Sequence, residues 1–243
     1  PMDMRDETNV SITMRTPGND FELATGFLFT EGIIKSGDDI LSIKYCTNHQ
    51  KSEQQYNIVR VELKPHIEFE AAAFNRNFYM TSACGICGKA SIDAIAVHCK
   101  IVNEKDSLTV EKRTVFSLAE KLKQKQTIFN NTGGIHAAAL FKLDGELLLT
   151  MEDVGRHNAL DKLIGSLIAL NKLHMAEESV LFLSGRASFE LLQKSAMAGI
   201  KIVCAVGAPS SLAVQTAGEF GITLIGFLRD GRFNIYSHAY RVE

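Results

Sequence analysis

Two thiols stand two residues apart in Cys84-Gly85-Ile86-Cys87-Gly88-Lys89. The residues that follow, Lys89 to Val97, repeat their apolar members at helical spacing, which places the pair at or just before a helix N-terminus. Free backbone N–H groups and the helix dipole favour an anion there. A thiolate is the nucleophilic form of cysteine, and such a position lowers its pKa below about 7.5. Lys89 adds a positive charge, and the two glycines leave room for a sulfur-bearing partner. Four chemistries fit the pair: none at all, half of a zinc site, a redox dithiol, or a sulfur carrier holding a persulfide. Zinc needs two further ligands. His98 and Cys99 are near, but the sequence has no second C-x-x-C, so no structural metal is expected. The pair alone does not separate dithiol from carrier.

Two histidines are placed for chemistry as well. His136 follows Gly133 and Gly134 and precedes an apolar run. His157 follows Arg156 at a helix start, where it could cap the helix, touch an anion or carry a proton. Asp161 and Lys162 fall one turn later, on what reads as a solvated or ion-paired helix face.

The elements that must hold these residues follow from periodicity. The spacing predicts an edge strand over 10–15, then a turn ending in the helix-capping residues Asn19 and Asp20, then a helix over 21–29 closed near Gly32. Strands are expected over 40–47 and 55–63, and a lysine-rich amphipathic helix over 116–126. From residue 127 the grammar changes. A hairpin is expected around Asp144-Gly145. Helices over 157–173, 188–198 and 210–220 then alternate with strands over 180–183, 201–206, 223–228 and 233–237. That alternation implies an α/β fold with a mostly parallel, helix-covered sheet and an antiparallel hairpin edge. A lobe boundary is expected near 113–127, giving an α+β lobe with the cysteine pair over 1–126 and an α/β lobe over 127–243.

Ligands of such sheets bind beyond the carboxyl ends of the strands. The segments expected there are Glu152 to Asn158, Ser184 to Ser188, Gly207 to Ser211 and Arg229 to Arg232. They are small, polar and cap-competent, and three carry arginine: Arg156, Arg186, and Arg229 with Arg232. Guanidinium groups and helix N-termini converging on one crevice suit phosphate. The usual dinucleotide and P-loop glycine motifs are absent from the sequence.

Composition narrows the setting. The 243 residues are 46% hydrophobic and 22% charged with a formal net charge of −2, which gives no global pull toward nucleic acid or membrane. No apolar run approaches the roughly 18 residues needed to span a bilayer, and the opening residues do not read as a secretion signal. Five cysteines, an odd and dispersed number, point to a reducing cytosol.

Seven segments in order resemble the FdhD family of formate dehydrogenase accessory sulfurtransferases. They are Thr25 to Ile33, Thr81 to Lys89, Thr132 to Ala138, Glu152 to Lys162, Ser184 to Glu190, Ala208 to Ala213 and Gly226 to Arg232. The likeness spans about residues 14–240. Sequences of that family usually extend further ahead of this start, so an N-terminal strand is expected to be missing. The resemblance implies a cytoplasmic homodimer with a three-layer α/β/α sandwich similar to cytidine deaminase. It implies no deaminase activity, because Ala83 precedes Cys84 where the deaminase zinc motif has proline. It implies that Cys84 takes persulfide sulfur from a cysteine desulfurase, with Cys87 releasing or protecting it. The sulfur would pass to the molybdenum (or tungsten) bis(molybdopterin guanine dinucleotide) cofactor required by formate dehydrogenase. The stretch Phe227, Leu228, Arg229, Asp230, Gly231, Arg232 matches the family's cofactor-binding segment. Arg156, His157, Arg186 and His136 are expected around it, with guanosine diphosphate as a mimic of half the cofactor. Two other readings remain: a thioredoxin-like dithiol oxidoreductase, and a chaperone that holds the cofactor without moving sulfur.

Overall fold

The computed structural model describes residues 7–46, 56–67, 106–125, 133–229 and 231–243. The expected helix after the cysteine pair, the thiols of Cys84 and Cys87, and Asp230 lie outside the described residues.

The second half builds a six-stranded sheet from β3 (His136–Lys142), β4 (Leu147–Asp153), β5 (Ser179–Leu183), β6 (Ile202–Ala205), β7 (Thr223–Arg229) and β8 (Arg232–Ser237). The strand order is β4-β3-β5-β6-β7-β8. β5, β6 and β7 run parallel, while β3 pairs antiparallel with both β4 and β5, and β8 pairs antiparallel with β7. The sheet is therefore mixed, and the expectation of a mostly parallel sheet is corrected. The first hairpin does form an antiparallel edge, with β4 outermost, but its β3 arm also pairs antiparallel with β5. Gly145, at φ +82, closes that hairpin.

Alternating side chains supply two apolar faces. On β3, Ala137, Ala139 and Phe141 join Val115, Leu118 and Leu122 of α2 (Lys112–Lys123). Ala138 and Leu140 join the opposite cluster, with α1 (Asp20–Thr30), α3 (Arg156–Ala169), α4 (Phe189–Met197) and α5 (Ser211–Glu219). Thus α1 and α2, from residues 1–126, share apolar clusters with the later sheet. A separate antiparallel pair, β1 (Ile40–Tyr45) and β2 (Val59–Leu63), lies nearer the start.

α1 makes its main contact with α3, and the two cross at Gly26 and Gly165. A Cβ on Gly26 would overlap the Asp161 carbonyl, and one on Gly165 would overlap the Glu22 carbonyl. Only glycine allows backbones this close. The crossing covers charged residues. Asp161 pairs with Lys194 at 3.0 Å, and Lys194 also reaches Glu31 at 3.2 Å and Thr30 Oγ1 at 2.8 Å. Lys162 pairs with Asp153 at 2.7 Å, both buried. Of the two faces expected at Asp161 and Lys162, solvated or ion-paired, the structure has the paired one, and it is dry because α1 and the chain before it lie over it.

The expected edge strand over 10–15 forms no ladder among the described residues. Residues 13–16 are instead pinned to the start of α3. Asn158 Nδ2 donates to the Met14 carbonyl at 2.8 Å, Thr16 N–H donates to Asp153, and Lys162 donates to the Thr16 carbonyl. The cap also differs from expectation. Asn19 is the N-cap in the left-handed region at φ 55 and makes no side-chain capping bond. Asp20 turns to Arg15 at 2.8 Å and to the Tyr45 hydroxyl at 3.1 Å.

Candidate functional site at the strand ends

The carboxyl ends of β5, β6 and β7 are followed by loops that hydrogen-bond to one another in sequence across the sheet. Ser184 Oγ accepts from the Ala137 N–H at 2.8 Å, and the Ser184 N–H donates to the Ala137 carbonyl, tying the start of β3 to the end of β5. Gly207 N–H donates to the Gly185 carbonyl, and Phe227 N–H donates to the Gly207 carbonyl at 3.1 Å. The contact is close: a Cβ on Gly207 would stand 2.8 Å from Arg186 Cγ. Because β3 is antiparallel to β5, its first residue, His136, sits at this same end, beside Gly185. The end of β4 and the start of α3 arrive here too, since His136 pairs in register with Asp153.

At the first turn of α3, His157 Nε2 lies 3.1 Å from Ser188 Oγ and 3.8 Å from the Glu190 carboxylate. The His157 ring facing it, aided by Ser188, outweighs partial burial and holds the Glu190 carboxyl down at about 2. His136 is pushed the other way: burial first, then the charges of Arg156 and His157, lower its pKa and favour the neutral imidazole. Arg156 Nε is buried and has no hydrogen-bond partner among the described residues. A group of three metal-ligating side chains is absent among the described residues. No helix among them is long and apolar enough to cross a membrane.

The expected residues thus divide. His136, Arg156 and His157 are brought together, and Arg186 stands exposed over Gly207. Arg229 and Arg232 face each other in register across the turn, both exposed, with Gly231 at φ +69. Phe227 adopts φ 54, a left-handed backbone, where the β7–β8 register shifts. Leu228 is 2% exposed and belongs to the apolar cluster with α2, so its side chain is core.

Two features escaped the sequence reading. Ser188 reads as a helix cap and Glu190 as part of the same motif, but nothing in their spacing announces that both face His157. A cavity of about 590 Å³ lies on the α2 face of the sheet at the same end, lined by Leu122, Lys123, Gly134, Phe182, Ser184 and Val206 among others. Its walls come from four separated segments, so no local pattern announces it.

Comparison with known proteins adds the lineage. Residues 4–243 match the FdhD/NarQ family. The "Sulfur carrier protein FdhD" of Mycolicibacterium paratuberculosis is 48% identical over 96% of this chain and 86% of its own length. That of Picrophilus torridus is 46% identical over 96% and 84%. A crystal structure from Desulfotalea psychrophila, of a candidate formate dehydrogenase accessory protein, shares the fold with a TM-score of 0.69 at 23% identity. It covers 94% of this chain and 82% of the other. With a family match over nearly every residue and relatives this similar, the chain belongs to the FdhD/NarQ family.

Proposed function

We propose that this protein is a sulfur carrier serving formate dehydrogenase. The observation that carries the reading is the near full-length match to relatives named sulfur carriers, in a chain holding one C-x-x-C pair. The Cys84 thiolate attacks the outer sulfur of a cysteine desulfurase persulfide. The desulfurase S–S bond breaks, its thiolate leaves, and Cys84 holds a persulfide. In delivery, the Cys87 thiolate attacks Cys84 Sγ and the outer sulfur leaves as sulfide. The Cys84–Cys87 disulfide that remains is reopened by a dithiol reductant. The receiving substrate is the molybdenum (or tungsten) bis(guanine dinucleotide) cofactor, whose metal favours soft sulfur ligands. In this reading its phosphates lie against Arg156, Arg186, Arg229 and Arg232.

The residues present suit that substrate. The unpartnered Arg156 Nε and the exposed Arg229 and Arg232 offer donors to phosphate oxygens. Neutral His136 remains able to accept or pass a proton. The apolar clusters on both sheet faces fit a deaminase-like sandwich, and the protein works as a cytoplasmic homodimer with residues 1–126 as the sulfur-bearing lobe.

Incubation with a cysteine desulfurase and cysteine, followed by intact-mass and peptide analysis, should place one reductant-labile sulfur on Cys84. A Cys84→Ser, Cys87→Ser variant should fail to mature formate dehydrogenase. Sulfur confined to Cys46, Cys99 or Cys204 would overturn the reading. Full maturation by the double variant would leave only a cofactor-holding chaperone, and disulfide exchange with thioredoxin substrates in place of sulfur loading would indicate a dithiol oxidoreductase.

A further inference from the structure

The connection from β4 to α3 is held by a segment from the other end of the chain. Val154 and Gly155 join the two elements, and Arg156 is the first residue of α3. Both backbone N–H groups of that connection are committed. Val154 N–H donates to Thr16 Oγ1 at 3.0 Å, and Gly155 N–H donates to Asp153 Oδ1 at 2.9 Å. The buried Asp153 carboxylate also accepts from Asn158 Nδ2 at 3.1 Å and from the Thr16 N–H at 3.0 Å, and it pairs with Lys162. Thr16 therefore grips this corner by its hydroxyl, its N–H and its carbonyl, which accepts from Lys162 at 2.7 Å. Arg15 anchors the same segment on its other side, to Asp20 of α1 and to the Tyr56 carbonyl, each at 2.8 Å. There is little slack: a Cβ on Gly155 would stand 3.1 Å from Asn158 Nδ2.

We propose that Thr16 is a positioning residue for anion binding: by accepting the Val154 N–H, its hydroxyl sets the β4–α3 connection and so the guanidinium of Arg156, which receives a phosphate group. This rests on the reading of the strand ends as the phosphate side of the site. The N–H groups of Val154 and Gly155 are taken, so they cannot wrap an anion as a backbone nest does, and recognition falls to the Arg156 side chain. Arg156 Nε has no hydrogen-bond partner among the described residues, which leaves its orientation to the backbone that carries it. The contacts of Thr16 differ in kind. Its N–H and carbonyl survive any change of side chain, whereas the hydroxyl does not. Val154 is 50% exposed, so its N–H turns to water when the hydroxyl is removed and the fold loses little. Removing the hydroxyl therefore separates positioning from stability.

Pyrophosphate is the probe, titrated into the full chain by calorimetry at neutral pH and low salt. Thr16→Val keeps the shape and removes the acceptor. It should weaken binding about three- to tenfold, the size of one hydrogen bond, while the melting midpoint moves by less than about 3 °C. Thr16→Ser keeps the acceptor and should bind within about twofold of the unaltered protein. Thr16→Ala covers the case in which valine is not accommodated, and should weaken binding as valine does. Arg156→Ala should weaken binding roughly tenfold or more. Adding Thr16→Val to it should cost nothing further, because both changes act through one contact. Unchanged binding in Arg156→Ala overturns the phosphate reading of this end. Weakened binding there, with unchanged binding in Thr16→Val and Thr16→Ala, overturns the Thr16 role alone. So does a Thr16→Ser that binds as poorly as Thr16→Val, or a double variant whose losses add.

Discussion

Asp153 and Lys162 share a stretch of chain with Arg156 and His157, and the two pairs are used in opposite ways. Asp153 and Lys162 turn inward, meet at 2.7 Å and are covered by residues 13–16. Arg156 and His157, one turn along, stay at the open end of the sheet, with a guanidinium nitrogen unpartnered. Inward, every charge is neutralised and the region works as a joint. At the strand ends, Arg156 Nε has no hydrogen-bond partner among the described residues, and Arg229 and Arg232 are exposed. Charged residues that look alike in a linear motif therefore serve the fold or the chemistry according to what is laid over them.

Three changes test that division, in order of expected size. Gly165→Leu at the crossing of α1 and α3 has no space to occupy, and should cost more than about 4 kcal/mol or prevent folding. Thermal or denaturant unfolding measures it, and a mild effect would mean that the helices do not touch through their backbones. Lys162→Met removes one partner of the inward pair and strands Asp153 without water. It should cost about 3–5 kcal/mol by the same measurement. An unchanged midpoint would place this pair in the same class as the exposed end. Arg229→Ala with Arg232→Ala should change stability by no more than about 0.5 kcal/mol. It should weaken guanosine diphosphate binding more than tenfold, since hydrogen bonds to charged groups are worth about 1.5–3 kcal/mol each. Calorimetry reads that loss, and sulfur loading of Cys84 should continue. Normal nucleotide affinity in this variant would make the arginines surface charges only.

Much of this was legible before the structure. The hairpin at Asp144-Gly145 and the alternation from β5 through β7 fall within two residues of expectation, because their periods are regular and their turns carry glycine. The mixed pairing was not legible: nothing local to His136–Lys142 says whether β3 stops at β4 or also pairs with β5. The pattern over 10–15 did alternate, but alternation reports which side is covered, not whether another strand supplies hydrogen bonds. Ion pairing at Asp161 and Lys162 was legible as one of two readings, but their burial was not, because a helical period marks a face without saying what lies on it; Gly26 and Gly165 were the clue. At the site, residue types were readable and partnership was not. His157 was singled out from its neighbours in sequence, while its contacts Ser188 and Glu190 come from another helix.

Phe227 carries a consequence for anyone who engineers this protein. A left-handed backbone costs an ordinary residue roughly 1–2 kcal/mol, which glycine or asparagine largely escapes. A stability screen would therefore favour Phe227→Gly, a change that looks like an improvement by melting point. It would also remove the side chain next to the Phe227 N–H bond to Gly207 and loosen the register shift that precedes Arg229. If the proposed cofactor reading holds, robustness selected at this position is selected against the ligand, so thermostabilising libraries should hold residue 227 fixed or score it by function.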